Sequence, residues 1–453
     1  MTGKDLQSRF DSPEADELLI SLYGKEELDL NRKRYRSLTE GLLDEKEFPE
    51  KYFPEKAGEL RVFSVPGRTE LGGNHTDHNR GKVLAASIQL DAAAIAAPRR
   101  DKQVFFRSTG FSDVKVDLSD LSPLAKERGT AEALVRGIAA EITSQGTPVN
   151  GFTANAASRV LPGSGLSSSA AVEILIAKIF DNLFCGGKRS ALELAKIGQK
   201  AENIYFGKPC GLMDQTACAS GGAVAIDFED IHNPRVKGIA FDPAAAGFAF
   251  CVVDTKGNHA DLTPDYAAIP AEMKAAASFF GKTVLRELDE ETFMTRLGDL
   301  RKSAGDRSLL RAFHFYSENR RVDAMLAALE KVNSLPSHTP AEKKAETLEL
   351  FLALVRESGD SSWELLQNIY SPKNPGEQGV SLALALTKNF LKTSSTYRGA
   401  CRVHGGGFAG TIQTYLPVER LDEYRNLMEG IFGKGTLTVL KIRAAGAIEL
   451  IFK

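Results

Sequence analysis

Residues 65–81 read VPGRTELGGNHTDHNRG and gather Arg68, Glu70, Asn74, His75, Asp77, His78 and Arg80 among four glycines. A plain strand or helix has no use for that mixture. Carboxylates and amides pair with the hydroxyls of a polyhydroxy compound, imidazole and carboxylate hold metals, and arginine holds phosphate. Taken alone, the segment leaves all three chemistries open.

A second segment, LPGSGLSSSAAVEILIAKIF, begins at Leu161. Its glycines admit close backbone approach. Its serines open an apolar helix, whose first N–H groups and partial positive charge suit phosphate. A serine hydroxyl adds a hydrogen bond or a magnesium ligand. No Gly-Lys-Ser/Thr follows, so this is not a Walker A loop. A Ser/Gly connector that only caps a helix would read the same way. The third segment, VHGGGFAGTIQTYL from Val403, sets three glycines between strands. That is backbone packed against a ligand or another loop, or else a tight turn.

These segments need elements to hold them. ELRVFSVPG (59–67), KVLAASIQLDAAAIAAP (82–98), QVFFRSTGF (103–111), GFTANAASRVLPG (151–163) and GGAVAIDF (221–228) predict strands. Residues 130–146, 167–184 and 190–207 predict helices, and residues 1–58 are charged with amphipathic pieces such as ADELLISLYG. From about Gly247 a strand leads into a helix-rich stretch over 264–390, with strand-like pieces after Gly399 and a surface loop at 333–344. Runs of strands and helices without regular alternation predict an α+β fold. Three divisions are expected: an N-terminal helical extension (1–58) and domains over 59–240 and 241–453.

With 453 residues, two or three domains fit. A net charge of −2 offers no surface for nucleic acid or an acidic membrane. No apolar run reaches the length of a membrane span, and the first residues are too polar for a signal peptide. Five cysteines, odd in number and without a CxxC pair, fit reduced thiols in a cytoplasmic protein.

In this order the three segments resemble the GHMP small-molecule kinases. Within them, GRTELGGNHTDHN is similar to the galactokinase form GRVNLIGEHTDYNGG, and KAENIYFGKPCGLMDQ (200–215) to AEH…G.PCGIMDQ. The resemblance covers most of residues 58–453. It implies a ribosomal-S5-like N-terminal domain, a ferredoxin-like C-terminal domain, and ATP-dependent phosphorylation of a sugar hydroxyl. It also implies ATP and Mg2+ at the site, and no nucleic-acid or membrane partner; a monomer or weak homo-oligomer is expected.

Residue by residue, the resemblance assigns Asp214 and Arg68 to catalysis. It assigns Gly163, Ser164, Gly165, Leu166, Ser167, Ser168 and Ser169 to the ATP phosphates, and Ser169 and Glu202 to magnesium. Asn74, His75, Asp77, Gly211 and Tyr266 fall at sugar-binding positions. The pattern is broken at several of them. Asn74 replaces the family's Glu, which is expected to meet the sugar's CH2OH group. Thr69-Glu70 replaces Val-Asn, Gly72 replaces Ile, His78 replaces Tyr, and Arg80 occupies a Gly or acid position. An acid lost and cations gained would suit a substrate carboxylate. The implied function is therefore galactokinase, with a uronic acid kinase (galacturonate) or a non-catalytic sugar sensor as alternatives. Phe105, Phe106 and Ser108 lie where the family often meets the base. His232, His259, His314 and His338 show no metal-ligand spacing, and His404 reads as structural.

Overall fold

The computed structural model describes residues 3–43, 60–161, 163–208, 210–257, 262–392 and 398–452. Three helices come first: α1 (Gly3–Arg9), α2 (Pro13–Tyr23) and α3 (Leu28–Leu43). Ser12 caps α2 by accepting the Ala15 N–H at 3.1 Å, with Pro13 at the first position, where no N–H is missed.

The larger sheet has eight strands: β1 (Arg61–Gly72), β2 (Lys82–Pro98), β3 (Gln103–Ser108), β4 (Val114–Asp117), β5 (Phe152–Ser158), β6 (Ala223–Asp227), β7 (Arg235–Ile239) and, from the chain's end, β12 (Ile448–Leu450). Their order is β12-β1-β2-β5-β3-β4, with β6 joined to β2 and β7 to β6. β3 and β5 run parallel and the other pairs antiparallel. The smaller sheet is antiparallel in the order β11-β8-β10-β9, from β8 (Phe248–Asp254), β9 (Ala400–His404), β10 (Thr411–Pro417) and β11 (Leu437–Leu440).

The remaining helices are α4 (Ala131–Ser144), α5 (Ser168–Phe184), α6 (Ala191–Lys200), α7 (Met213–Ser220), α8 (Thr263–Phe279), α9 (Glu290–Thr295), α10 (Leu297–Asn333), α11 (Ala341–Ser361), α12 (Gly379–Leu391) and α13 (Leu421–Phe432). Among the described residues no helix is long and apolar enough to cross a membrane.

The small side chains of β2 let both faces pack closely. Toward one face lie Ile138, Ile174, Leu175 and Phe180 of α4 and α5, in a core that continues to Phe250 and Tyr415 of the smaller sheet. Toward the other lie Phe10, Leu19, Tyr23, Tyr35 and Leu38 of the N-terminal helices, against Ala93, Ile95 and Phe105. Asp91 is buried on that side. It accepts from Tyr23 Oη at 2.7 Å and Arg34 Nη2 at 2.6 Å, with Ser64 and Arg443 also in contact. Burial opposes its charge, but Arg34 and Arg443 hold its carboxyl below the ordinary range. The Asp91 carboxylate thus ties the helical extension into the sheet, together with Asn155 Nδ2 donating to Leu38 O at 2.9 Å and the Arg159–Glu27 pair.

Several local expectations shift. The helix predicted over 190–207 is α-helical only to Lys200 and continues as a π-helical turn over Ala201–Phe206. A helix, α7, begins just before Asp214, where the small residues of TACAS had no clear apolar period. β7 is exposed along most of its length and shows no alternation. Of the strand-like 441–452, only Ile448–Leu450 forms a strand.

Candidate active site

β1 is irregular where it matters. Its pairing with β2 shifts between Pro66 and Arg68 and again between Glu70 and Gly72. Such bulges twist a strand and re-aim its side chains, and these two bracket Arg68 and Glu70. Gly67 lets β1 press on the serine loop, for a Cβ there would meet Leu166 O at 2.8 Å. The contact is closed by Arg68 N–H donating to Leu166 O at 3.1 Å.

Beyond β1, the 405–410 hairpin between β9 and β10 closes over residues 74 and 75. Asn74 Nδ2 donates to Gly405 O at 2.8 Å, and His75 Nε2 lies 3.0 Å from Gly406 O, so this nitrogen carries the proton. A Cβ on Gly406 would strike the Tyr266 ring at 2.5 Å, and one on Gly407 would strike Asn368 O at 2.1 Å. Gly406 and Gly407 are therefore required by close approach to α8 and to Asn368, whereas Gly405 meets nothing closer than 3.5 Å and is favoured by its φ of 67°.

These contacts enclose a cleft of about 300 Å3. Arg68, Asn74, His75, Asp77, Ser169, Glu202, Gly211, Asp214 and Tyr266 all line it. The walls also include Glu70, His78, Lys208 and Gln215. A neighbouring, largely apolar cavity of about 570 Å3 is lined by Phe106, Phe111, Leu134, Val172, Phe206 and the loop residues Gly163, Gly165, Ser167 and Ser168. Ser169 lines both and marks where they meet. Phe106 and Ser108 face this second cavity, whereas Phe105 packs against the N-terminal helices.

At the junction Arg68 grips Asp214, with Nε at 2.8 Å and Nη2 at 2.7 Å from Oδ1, while Nη1 donates to Gly165 O. Ser167, held at φ 59° in the left-handed region, donates its hydroxyl to Asp214 Oδ2 at 2.5 Å. Burial disfavours the charge on Asp214. Arg68 and the Ser167 hydroxyl outweigh it and hold the carboxyl below its ordinary value. Asp214 is thus an ionised acceptor beside a fixed cation.

The serine loop divides its work. Leu166 is core, and Ser164 Oγ is turned back onto Leu161 O at 2.6 Å. Backbone groups and Ser168 and Ser169, in the first turn of α5, are left to face a ligand.

Glu202 sits on the π-helical turn, a distortion frequent at functional sites. Its Oε1 is 3.3 Å from Lys208 Nζ, and Oε2 accepts from Gln215 Nε2 at 3.0 Å. Gln215 Nε2 also donates to Glu173 at 3.1 Å. Ser169 and Glu202 are hard oxygen donors on one cleft. Magnesium takes few protein ligands and completes its shell with phosphate and water, so the pair fits it. Among the described residues no cluster of three or more His, Cys, Asp or Glu could cage a metal.

At the other end Glu70 pairs with Arg402 at 2.5 Å, both buried, and accepts from Asn74 Nδ2 at 3.1 Å. Asn368 Nδ2 donates to Asn74 Oδ1 at 2.9 Å, and buried His314 holds the Asn74 carbonyl at 2.9 Å. Asp77 packs on Gly211, where a Cβ would lie 2.2 Å from its Oδ2. Arg80 turns to the exterior and pairs with Glu287 at 3.1 Å. It is not among the cleft's lining residues. His404 bridges Thr69 and Thr411 at 3.0 Å each, and His259 lies outside the described residues. Arg402, Asn368, Lys208 and Gln215 were not singled out by sequence, and Glu70 stood out only as a departure from the family pattern. Glu70 and Arg402 stand 332 positions apart, and nothing in either neighbourhood signals the pair.

Comparison with known proteins follows the same lines. Residues 131–222 match the GHMP kinases N terminal domain, and residues 46–98 match the galactokinase galactose-binding signature. The chain is 34% identical to a Streptomyces coelicolor galactokinase over 62% of its own length and 72% of that protein's. It is 31% identical to a Glaesserella parasuis galactokinase over 84% and 91% of the two chains. In structure it is similar to Lactococcus lactis galactokinase complexed with galactose, with a TM-score of 0.71 and 23% identity over 88% of this chain and 97% of that one. It is also similar to Methanococcus jannaschii mevalonate kinase, with a TM-score of 0.57 and 13% identity over 85% and 99%.

Proposed function

The chain belongs to the galactokinase family within the GHMP kinases, and from that premise we propose that it transfers the γ-phosphoryl group of ATP to the C1 hydroxyl of D-galactose. It is a sugar-phosphorylating kinase; the identity of the sugar is the proposal.

One observation carries the choice of sugar. Both N–H bonds of Asn74 are taken, by Glu70 and by Gly405 O. Its Oδ1 accepts from Asn368 and keeps one lone pair free. Asn74 therefore offers the cleft an acceptor, as the family's Glu would, and the anionic Glu70 stands behind it. A hydroxymethyl group that donates suits this wall, whereas a uronate carboxylate would meet an acceptor and a neighbouring acid. Of the two basic residues gained in the loop, Arg80 is drawn outward by Glu287, while His78 lines the cleft beside Asp77.

In this reading Asp214 accepts the C1 hydroxyl proton as that oxygen bonds to the γ-phosphorus and the bond to the β–γ bridging oxygen breaks, releasing ADP. Arg68 keeps Asp214 ionised and balances charge on the transferring group. Ser168, Ser169 and the N-terminus of α5 hold the polyphosphate, and the apolar cavity takes the base. His75, Asp77, Tyr266 and Asn74 orient the sugar. Ser169 and Glu202 would hold magnesium, which supplies charge neutralisation along the phosphates when bound.

The test is ATP turnover with magnesium on galactose, glucose, N-acetylgalactosamine, galacturonate and glucuronate. Galactose is expected to lead by at least about tenfold in kcat/KM, the effect of one well-placed hydrogen bond. A lead for galacturonate overturns the choice of sugar. Tight sugar binding without turnover of any sugar would make the chain a sensor.

A further inference from the structure

A third cavity, of about 380 Å3, shares the 405–410 hairpin with the cleft. Gly405 and Gly406 face the cleft, and Phe408 faces this cavity. Its other walls include Asp265, Arg307, Arg311, Trp363, Gln367 and Tyr370. None of these belongs to the machinery described above.

The wall chemistry is that of a ligand site. Trp363 and Tyr370 keep 39% and 38% of their surface exposed, among the largest apolar groups left open. Opposite in character are two guanidinium groups that share one carboxylate: Arg307 Nη2 and Arg311 Nη1 each lie 2.8 Å from Glu272. Arg311 is 2% exposed, and burial holds its guanidinium down at about 10 despite Glu272. Glu272 and the wall's own Asp265 balance this pair in charge, and Arg307, with 43% of its side chain exposed, keeps part of its guanidinium fork open at the cavity. Gln367 ends the π-helical turn Ser362–Leu366 in the left-handed region at φ 57°. Such strain in a non-glycine residue persists where its surroundings impose it, and it clusters at ligand sites.

We propose that this cavity is a second, non-catalytic site for a sugar phosphate. Planar guanidinium forks match phosphate oxygens. Aromatic faces suit a sugar ring, and Asp265 and Gln367 suit its hydroxyls. The volume is close to that of the sugar cleft, which favours a ring of that size over a nucleotide. The site is joined to the cleft through single residues. Gln367 and Ile369 line the cavity, while Asn368 between them donates to Asn74 and Gly406 in the cleft. Asp265 lines the cavity, and its neighbour Tyr266 lines the cleft. An occupant bears on both segments that hold the sugar loop. Only this consequence, altered sugar affinity, rests on the kinase reading; binding itself does not.

The chain has one tryptophan, Trp363, so its fluorescence reports on this cavity directly. The full chain is titrated with galactose 1-phosphate, inorganic phosphate and galactose, and the Arg307→Ala and Tyr370→Ala variants with galactose 1-phosphate. The expected result is a saturable change with galactose 1-phosphate. Affinity should be at least fivefold weaker for phosphate or galactose alone, and at least tenfold weaker in Arg307→Ala, which keeps wild-type kcat. Tyr370→Ala, at an exposed position, should weaken it as well. No saturable change, equal response to phosphate, or undiminished binding in both variants overturns the proposal. Robust galactose turnover with a silent tryptophan sinks this inference alone. A fluorescence response in a chain that does not phosphorylate galactose sinks only the choice of substrate.

Discussion

Asn74 and Glu70 carry the amide and the acid in the reverse of the order that the galactokinase pattern has at these positions, and they remain bonded to each other at 3.1 Å. The apparent loss of an acid at residue 74 is therefore an exchange across one turn of the loop. The acid now stands beside Arg402, and the amide, clamped by Asn368 and Gly405, faces the cleft.

The exchange predicts a pattern in a double-mutant cycle. Asn74→Glu alone places two carboxylates together against one buried arginine. Glu70→Asn alone leaves Arg402 buried and unpaired, which costs roughly 3–5 kcal/mol. Both single variants should lose stability and at least about tenfold in kcat/KM, whereas the double variant should recover most of each. Denaturant melts and galactose turnover read this directly. A double variant no better than the singles would mean the two positions are independent.

Asp214→Asn should lower kcat by about 10²–10⁴-fold, the usual weight of a positioned proton acceptor. The pH profile follows from Arg68. The folded carboxyl is held below its ordinary 3.8, so its contribution to stability is present above that value and lost as pH falls through the lower folded value. This group should therefore leave kcat/KM flat between pH 5 and 7. An acid limb near pH 6 that disappears in Asp214→Asn would contradict the geometry.

Much of this site was legible from sequence because its chemistry sits in short runs. Arg68 and the loop at 163–169 announce themselves by residue type, and the long apolar period of α5 gave the helix its place. What was not legible depends on distance along the chain. Arg80 read as a cation available to a substrate, yet Glu287, far away in sequence, draws it outward. The π-helical turn at Glu202 arises where α6 gives way to a loop gripped by Gln215, and helical periodicity carries no sign of it. α7 is short and rich in small residues, so tertiary contact outweighs propensity there.

Gly211 touches Asp77 so closely that any side chain displaces it. Gly211→Ala would put Cβ 2.2 Å from Asp77 Oδ2. Because Asp77 stands at the cleft and outside the core, the expected outcome is a rise of at least about tenfold in the sugar KM. The melting temperature should change by no more than a few degrees. Steady-state kinetics with a thermal melt separates the two effects. An unchanged KM would remove Asp77 from the sugar site.

Three histidines are held neutral chiefly by burial: His75 at about 4, His404 at about 3, and His314, also lowered. Each has an unfolded value near 6.5, so the unfolded chain binds more protons between that value and the folded one. Their stabilisation is complete above about pH 6.5 and is lost as pH falls toward 4. The melting temperature should decline from pH 7 to 5, and unfolding at pH 5.5 should take up protons. A melting temperature that rises on acidification across that range would contradict their neutral state.

Glu173 works in the opposite direction. It is buried, and its Oε1 has no hydrogen-bond partner among the described residues. Burial, with the nearby charge of Glu202, pushes its carboxyl up to about 8. The folded state therefore binds the extra proton between the ordinary 4.5 and that value, and stability falls as pH rises through the window. Glu173→Gln keeps the shape and removes the ionisation. The variant, free of nucleotide, should melt higher than wild type at pH 8 and nearly level with it at pH 5. If the two curves stay parallel across that range, Glu173 is already ionised in the folded protein, and a cation must be compensating it.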